Sequence, residues 1–236
     1  MKLLGIDSSS LVASVAVVTD DVLTAEYTVD FKKTHSQTLL PMIDEVVTML
    51  GMDLHEIDAI AVSGGPGSFT GLRIGSATAK GLGLALEKPL IHVPTVDAMA
   101  YNLWGSDALI CPIMDARRNQ VYTGLYRFDE AGNLVTEMDQ IPMDVNELID
   151  LLLEKDEEVQ FTGDGIQVYG SQILSKMKHA RLAPAHLNKQ KAGSVAYAGA
   201  YRYAHEQYIN GDDFAPEYLR MSQAERERKE KGERNE

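Results

Sequence analysis

Apolar residues in the first thirty positions come in short runs separated by turn formers, a spacing that suits strands and is too short for helices. Lys2 to Ile6, Val12 to Val18 and Leu23 to Val29 each read as a strand, joined by Asp7-Ser8-Ser9-Ser10 and by Thr19-Asp20-Asp21. Together they predict an antiparallel meander. From Thr34 to Leu50 the period becomes helical: Leu39, Ile43, Val46 and Leu50 share one face, widened by Leu40, Met42, Val47 and Met49. Pro41 fits only a first turn, which places the helix cap near Ser36 to Thr38. The apolar arc is broader than one sheet face requires, and part of it is expected to meet a partner.

Ala59 to Ser63 has the length of a buried strand. Gly64-Gly65-Pro66-Gly67 then breaks regular structure, and Ser68-Phe69-Thr70 offers a hydroxyl cap for a helix that begins near Gly71 and runs to Leu86. Within it Gly71, Gly75, Ala79 and Gly83 recur every fourth residue and line one side. An interior glycine costs about 1 kcal/mol relative to alanine, so the stripe predicts close approach of another backbone. Its own sheet and a partner helix both fit that description.

Leu90 to Val93 predicts a further strand and Thr95 to about Trp104 a helix; Gly105-Ser106-Asp107 marks a boundary. Beyond it, strands are expected at Ala108 to Met114, Gln120 to Phe128, Leu134 to Gln140 and Val159 to Thr162, with helices at Asn146 to Leu153 and Gln167 to Lys176. Both halves contain an apolar strand ending in aspartate (Ile6-Asp7, Met114-Asp115), a polar turn and a return strand, as a duplication would produce. The expected fold class is α/β, in two lobes that each hold a mixed sheet with an antiparallel meander and flanking helices. Residues 1–104 form the first lobe, 105–221 the second, and 222–236 a charged tail expected to be disordered. A last helix over Lys189 to Tyr208 carries Tyr197, Tyr201 and Tyr208, which that spacing assigns to the core.

Composition narrows the function. A formal charge of −13 over 236 residues argues against a free-standing nucleic-acid binder, so any RNA would come through another subunit. One cysteine, Cys111, gives no disulfide framework and suits a reducing cytosol. With neither a leader pattern nor an apolar span, the expected location is cytoplasmic. Six scattered histidines offer no pair at i+2 or i+4, and no metal site is expected.

Three readings of the glycine loop fall short. No Gly-Lys-Ser/Thr follows it, the next lysine being Lys80; Gly65, Gly67 and Gly71 miss the dinucleotide spacing; and Ser63 lacks the first glycine of a nucleophile elbow. Ser68, Thr70 and Arg73 at a helix start remain candidate anion contacts, with Ser8 beside them. Asp7 and Asp115 either face each other across a cleft to hold Mg²⁺ beside phosphates, or cap their own turns. Arg118, next to Arg117, either meets an anion or is solvated. His35 reads as a base, an interface residue or an exposed capping position.

The meanders with aspartate turns resemble the actin and hexokinase superfamily of two-lobed ATPases. Four strings, Leu4-Gly5-Ile6-Asp7-Ser8-Ser9, His35-Ser36-Gln37-Thr38-Leu39-Leu40-Pro41, the run from Gly64 to Gly75, and Met114-Asp115-Ala116-Arg117-Arg118, are similar to the TsaB (YeaZ) family, and the likeness covers residues 1 to about 220. The resemblance implies actin-like, ribonuclease H-like lobes. It implies a non-catalytic paralogue of TsaD, the enzyme that transfers threonylcarbamoyl to the adenosine beside the anticodon of tRNA. It further implies pairing with TsaD, recruitment of TsaE to that pair, and a homodimer when alone. The pairing helices carry over onto His35, Leu39, Ile43, Val46, Leu50, Gly71, Ile74, Gly75, Thr78, Ala79 and Leu82, so Gly75→Leu is expected to block pairing and leave the monomer folded. No cofactor of its own is expected; ATP or ADP and metal would sit on partner subunits. Where TsaD has a histidine-x-x-x-histidine metal pair, this chain has Thr95 and Met99, and Ala116-Arg117-Arg118-Asn119 replaces a glycine-rich phosphate loop. The rival readings are a small-molecule kinase with Asp7 and Asp115 on Mg·ATP, and a glycoprotease-like peptidase.

Overall fold

The computed structural model describes residues 1–31 and 34–220; the charged stretch expected at 222–236 lies outside them. The chain builds the same series twice. In the first half β1 (Lys2–Asp7), β2 (Val12–Thr19), β3 (Val22–Asp30), α1 (His35–Leu50), β4 (Ala59–Gly65), α2 (Phe69–Leu86), β5 (Leu90–Pro94) and α3 (Thr95–Ala100) follow in order. The second half repeats it with β6 (Leu109–Arg117), β7 (Gln120–Phe128), β8 (Leu134–Asp144), α4 (Val145–Lys155), β9 (Val159–Thr162), α5 (Ile166–Lys176), β10 (Ala180–Leu182) and α6 (Ala192–Ala204). The sheets run β3-β2-β1-β4-β5 and β10-β9-β6-β7-β8, the same order read from opposite ends. In each, the first three strands are antiparallel and the last two join in parallel. The expected two-lobed α/β architecture is therefore the one observed. β10, three residues long, carries too little pattern to be seen beforehand.

Both faces of each sheet are covered, which is why the inner strands read as unbroken apolar runs. Leu4, Ile6, Val15 and Val62 point toward α1 and α2, where Leu39, Ile43 and Val46 meet them. Leu3, Ala61, Ile91 and Val93 point the other way, against Val195 and Ala198 of α6. In the second lobe α4 and α5 cover one face with Leu148, Ile149 and Ile173, while Val96 and Met99 of α3 meet Ile110, Met114 and Tyr126 on the other. Each half thus lends its last helix to the other half's sheet. Beside the expected division at residue 104, α6 packs on the first sheet, and α3 lies between the sheets, touching β4 and β5 as well as β6 and β7.

Two helix expectations also change. α1 starts at His35 with Thr34 as its cap position, so Pro41 lies inside the helix. Pro41 and Gln37 are both exposed, and the Gln37 carbonyl that loses its donor there can take water instead. Tyr197, Tyr201 and Tyr208 are exposed rather than in the core. α6 buries its small side, Ala192, Val195, Ala196 and Gly199, since only small residues let it lie close on β1 and β4.

Candidate functional site

A cavity of about 630 Å³ opens between the lobes. The β1–β2 turn brings Ser9 and Ser10 to it, the start of α2 brings Ser68 and Thr70, and the second lobe contributes Asp115, Arg117 and Asp164. Residues 217–220 form one wall.

The two strand-end aspartates do the same local job in different surroundings. Asp7 Oδ1 accepts the Ser9 amide at 2.9 Å and the Ser9 hydroxyl at 2.8 Å. Asp115 Oδ1 accepts the Arg117 amide at 2.8 Å and the Tyr169 hydroxyl at 3.2 Å. Each caps its own turn through the amide two residues on. Asp7 is buried behind Ser9 rather than on the cavity wall, and burial pushes its carboxyl up to about 6 against the pull of those bonds. Asp115 is exposed and opens on the cavity. The facing pair of carboxylates that a Mg²⁺ clamp needs is not formed.

Asp164 is the residue that sequence reasoning missed. It lies in the turn Gly163-Asp164-Gly165, two residues beyond the end of β9, and an aspartate between glycines just after an apolar strand was the available signal. Burial raises its carboxyl above the usual range. Gln190, itself fully buried, donates to Asp164 Oδ1 at 3.4 Å and accepts the Ser10 hydroxyl at 3.0 Å, joining the lobes at the cavity floor.

Of the other candidate anion contacts, Ser68 and Thr70 reach the cavity. Ser68 caps α2 by accepting the Gly71 amide at 3.3 Å. Ser8 is buried and donates to the Gly71 carbonyl at 2.9 Å. Arg73 lies over the Phe69 ring at 3.9 Å and donates to the Tyr218 hydroxyl at 3.2 Å. Arg118 stands at an exposed hairpin tip, in a run with Arg117 and Asn119 whose φ values are 63°, 55° and 60°. His35 Nε2 donates to the Ser10 carbonyl at 2.8 Å, so the imidazole braces the first turn.

The glycine stripe answers to its own lobe. A Cβ at Gly71 would collide with the Ser8 carbonyl oxygen and one at Gly75 with Ser8 Oγ; Ala79 is fully buried, and Gly83 sits against Leu90 and Lys88. The expectation that Gly71, Gly75 and Ala79 meet a partner is corrected, and Gly75→Leu would strike the fold itself. Leu39, Ile43 and Val46 likewise belong to the first core. Leu50, Ile74, Thr78 and Leu82 are half-buried, and the apolar side chains that α1 and α2 turn outward are Leu40, Met49 (81% exposed) and Leu84 (76%).

At the place of the histidine pair, Thr95 Oγ1 shares a 2.7 Å hydrogen bond with Ser63 and accepts the Gly65 amide at 3.2 Å, while Met99 of α3 is buried against Ile110, Met114 and Tyr126. A hydroxyl so engaged and a core thioether do not fit a borderline metal such as Zn²⁺ or Fe²⁺. Among the described residues no three His, Cys, Asp or Glu side chains stand together as a metal would need. Ser63 is buried, hydrogen-bonded to Thr95 and to the Asp7 carboxylate, and Ser68 is engaged in its cap. Among the described residues, no helix is long and apolar enough to cross a membrane.

Residues 29–228 match the model of the family described as TsaD, tRNA N6-adenosine threonylcarbamoyltransferase. The tRNA threonylcarbamoyladenosine biosynthesis protein TsaB of Bacillus subtilis is 32% identical over 95% of this chain and 96% of its own length. The protein of that name from Escherichia coli is 38% identical over 56% of this chain and 58% of its own. The solved structure of YeaZ from Pseudomonas aeruginosa covers 92% of this chain and 99% of its own with a TM-score of 0.75 at 24% identity, a likeness of fold. With the Bacillus relative aligned almost end to end, and the topology matched, the chain belongs to the TsaB (YeaZ) family.

Proposed function

We propose that this chain serves the biosynthesis of threonylcarbamoyladenosine in tRNA as a docking and activating subunit, leaving the transfer chemistry to TsaD. The observation that carries the reading is the fate of the metal positions: Thr95 is locked to Ser63 and Met99 is packed in the core, so these two positions offer no imidazole to the metal that TsaD holds. The names of its relatives supply the pathway. The docking surface is the outward side of α1 and α2, where Met49, Leu84 and Leu40 stand exposed beside half-buried Ile74, Thr78 and Leu82. TsaD is the proposed partner, with TsaE joining that pair and a second copy taking the face in its absence. ATP or ADP and metal belong to those partners.

Co-purification of tagged chain with TsaD tests this. The parent is expected to carry TsaD through the column, and Met49→Glu with Leu84→Glu to lose it while melting within a few degrees of the parent, as exposed substitutions do. Retention of TsaD by the double variant removes this face from the proposal. Threonylcarbamoyl transfer to tRNA by the chain alone removes the non-catalytic role. The cavity keeps a kinase reading in play, since Asp115 and Asp164 line it. Titration with Mg·ATP separates the two: a Kd tighter than about 10 μM, roughly 7 kcal/mol, favours the kinase.

A further inference from the structure

Beyond α6 the chain runs back along the first lobe before crossing to the second. Ile209 pairs with Leu90 on the open edge of β5, exchanging two backbone bonds of 2.9 Å. Lys80 Nζ donates to the Asp212 and Phe214 carbonyls at 3.2 and 3.1 Å, and Phe214 is buried in the core with residues of α1 and β4. All these anchors lie on the first lobe. From Glu217 onward the segment walls the cavity between the lobes. Glu217 N donates to the Gly64 carbonyl at 2.7 Å, and Tyr218 packs on Phe69 with ring centroids 4.6 Å apart.

Two side chains connect this crossing to the second lobe. Gln140 Nε2 on β8 donates to the Glu217 carboxylate at 3.1 Å and to the Gly65 carbonyl at 3.3 Å. Arg220 donates to the Ala116 carbonyl at 2.7 Å. The Gln140 amide oxygen is buried with no partner, so the closed arrangement carries a desolvation cost that opening returns. At the back of the cleft the ties are of another kind: Gln190 bridges Ser10 and Asp164, and buried Tyr126 donates to Asp97 at 2.9 Å, which also accepts Arg202 at 3.0 Å. Ties through fully buried Gln190 and Tyr126 are shielded from water, whereas those through exposed Glu217 and half-buried Gln140 and Arg220 are open to it. The cleft therefore opens at the Glu217 side and hinges at the other.

We propose that residues 215–220 are an interlobe latch, with Phe214 as the fixed pivot and the Gln140–Glu217 and Arg220–Ala116 contacts as catches whose release widens the cavity. Nitroxides at Leu11→Cys and Arg118→Cys, both exposed and one on each lobe, read the opening in the full chain; Cys111 is buried away from the label. With the catches intact the distance distribution is expected to be single and narrow. Adding Gln140→Ala and Arg220→Ala is expected to broaden it toward longer distances and to speed exchange of the Glu217 amide about tenfold, with far-UV circular dichroism unchanged. Distances and exchange both unmoved would overturn the latch. Arg220→Gln alone removes one catch and guards against loss of the fold in the pair; it is expected to give a smaller shift of the same sign, and none would count equally against the proposal.

Discussion

The two lobes share a topology and differ in what their second helix does with it. α2 is 18 residues long and lies so close to the β1–β2 turn that only glycine fits at positions 71 and 75. α5 is 11 residues long, and a Cβ at Gly170 would meet only the tip of the Leu182 side chain, at 2.8 Å. Close backbone contact on one side of α2 leaves Leu84 exposed on its other side. The lesson is that a stripe of small residues on a helix reports a close neighbour without saying which neighbour.

Substitutions at matched helices sharpen this most. Gly71→Ala sets a methyl group against the Ser8 carbonyl, which is backbone and held by β1, so urea melts should show a loss of about 3 kcal/mol or more. Gly170→Ala meets a flexible leucine tip and gains helix propensity, so it should stay within about 1 kcal/mol of the parent. Equal costs would mean that α2 sits no more tightly on its turn than α5 does.

Next comes the pair of turn aspartates. Burial raises Asp7 to about 6 in the folded chain, above its value of 3.8 when unfolded. Between those values the folded state binds more protons than the unfolded one, so the contribution is fully present below pH 3.8 and is lost as pH rises through 6. A shift of this size corresponds to about 3 kcal/mol. Asp7→Asn should therefore remove a decline in stability between about pH 4 and pH 7 and stand above the parent at neutral pH, where Ser9 N can still bond to its amide oxygen. Asp115→Asn, at the exposed equivalent, serves as the control for a lost turn cap. If urea melts of the Asp7 variant run parallel to the parent across that range, burial of Asp7 does not cause the decline as pH rises.

Much of this architecture was legible because period and length carry it. Strands of apolar residues between turn formers, a helical period in α1 and a Ser68 cap on α2 all reflect local preferences that the fold does not override. What was not legible depends on which surface faces which. The tyrosines of α6 share a spacing with core residues, yet the approach of Gly199 to Ala61 turns them outward. The exchange of α3 and α6 between lobes leaves no trace in periodicity, since either sheet could take either helix. Asp164 escaped notice because no hairpin follows it, although it comes two residues after a strand.

The smallest effect concerns the second-lobe hairpin, where Arg117, Arg118 and Asn119 occupy the left-handed region without a glycine among them. Such a residue costs roughly 1 kcal/mol relative to glycine, so Arg118→Gly should raise stability by about 0.5–1 kcal/mol, the gain being trimmed by a freer unfolded chain. The first lobe offers a contrast in Asp20 and Asp21, at φ 47° and 65°, residue types that visit this region more readily. Arginine at such a position carries a conformational cost whether or not its charge is used. Binding of the Arg118→Gly variant to TsaD decides it: a stabilised chain that docks at parental affinity leaves the guanidinium to solvent, whereas a stabilised chain that docks more weakly, by a margin that shrinks in high salt, places Arg118 against an acidic partner.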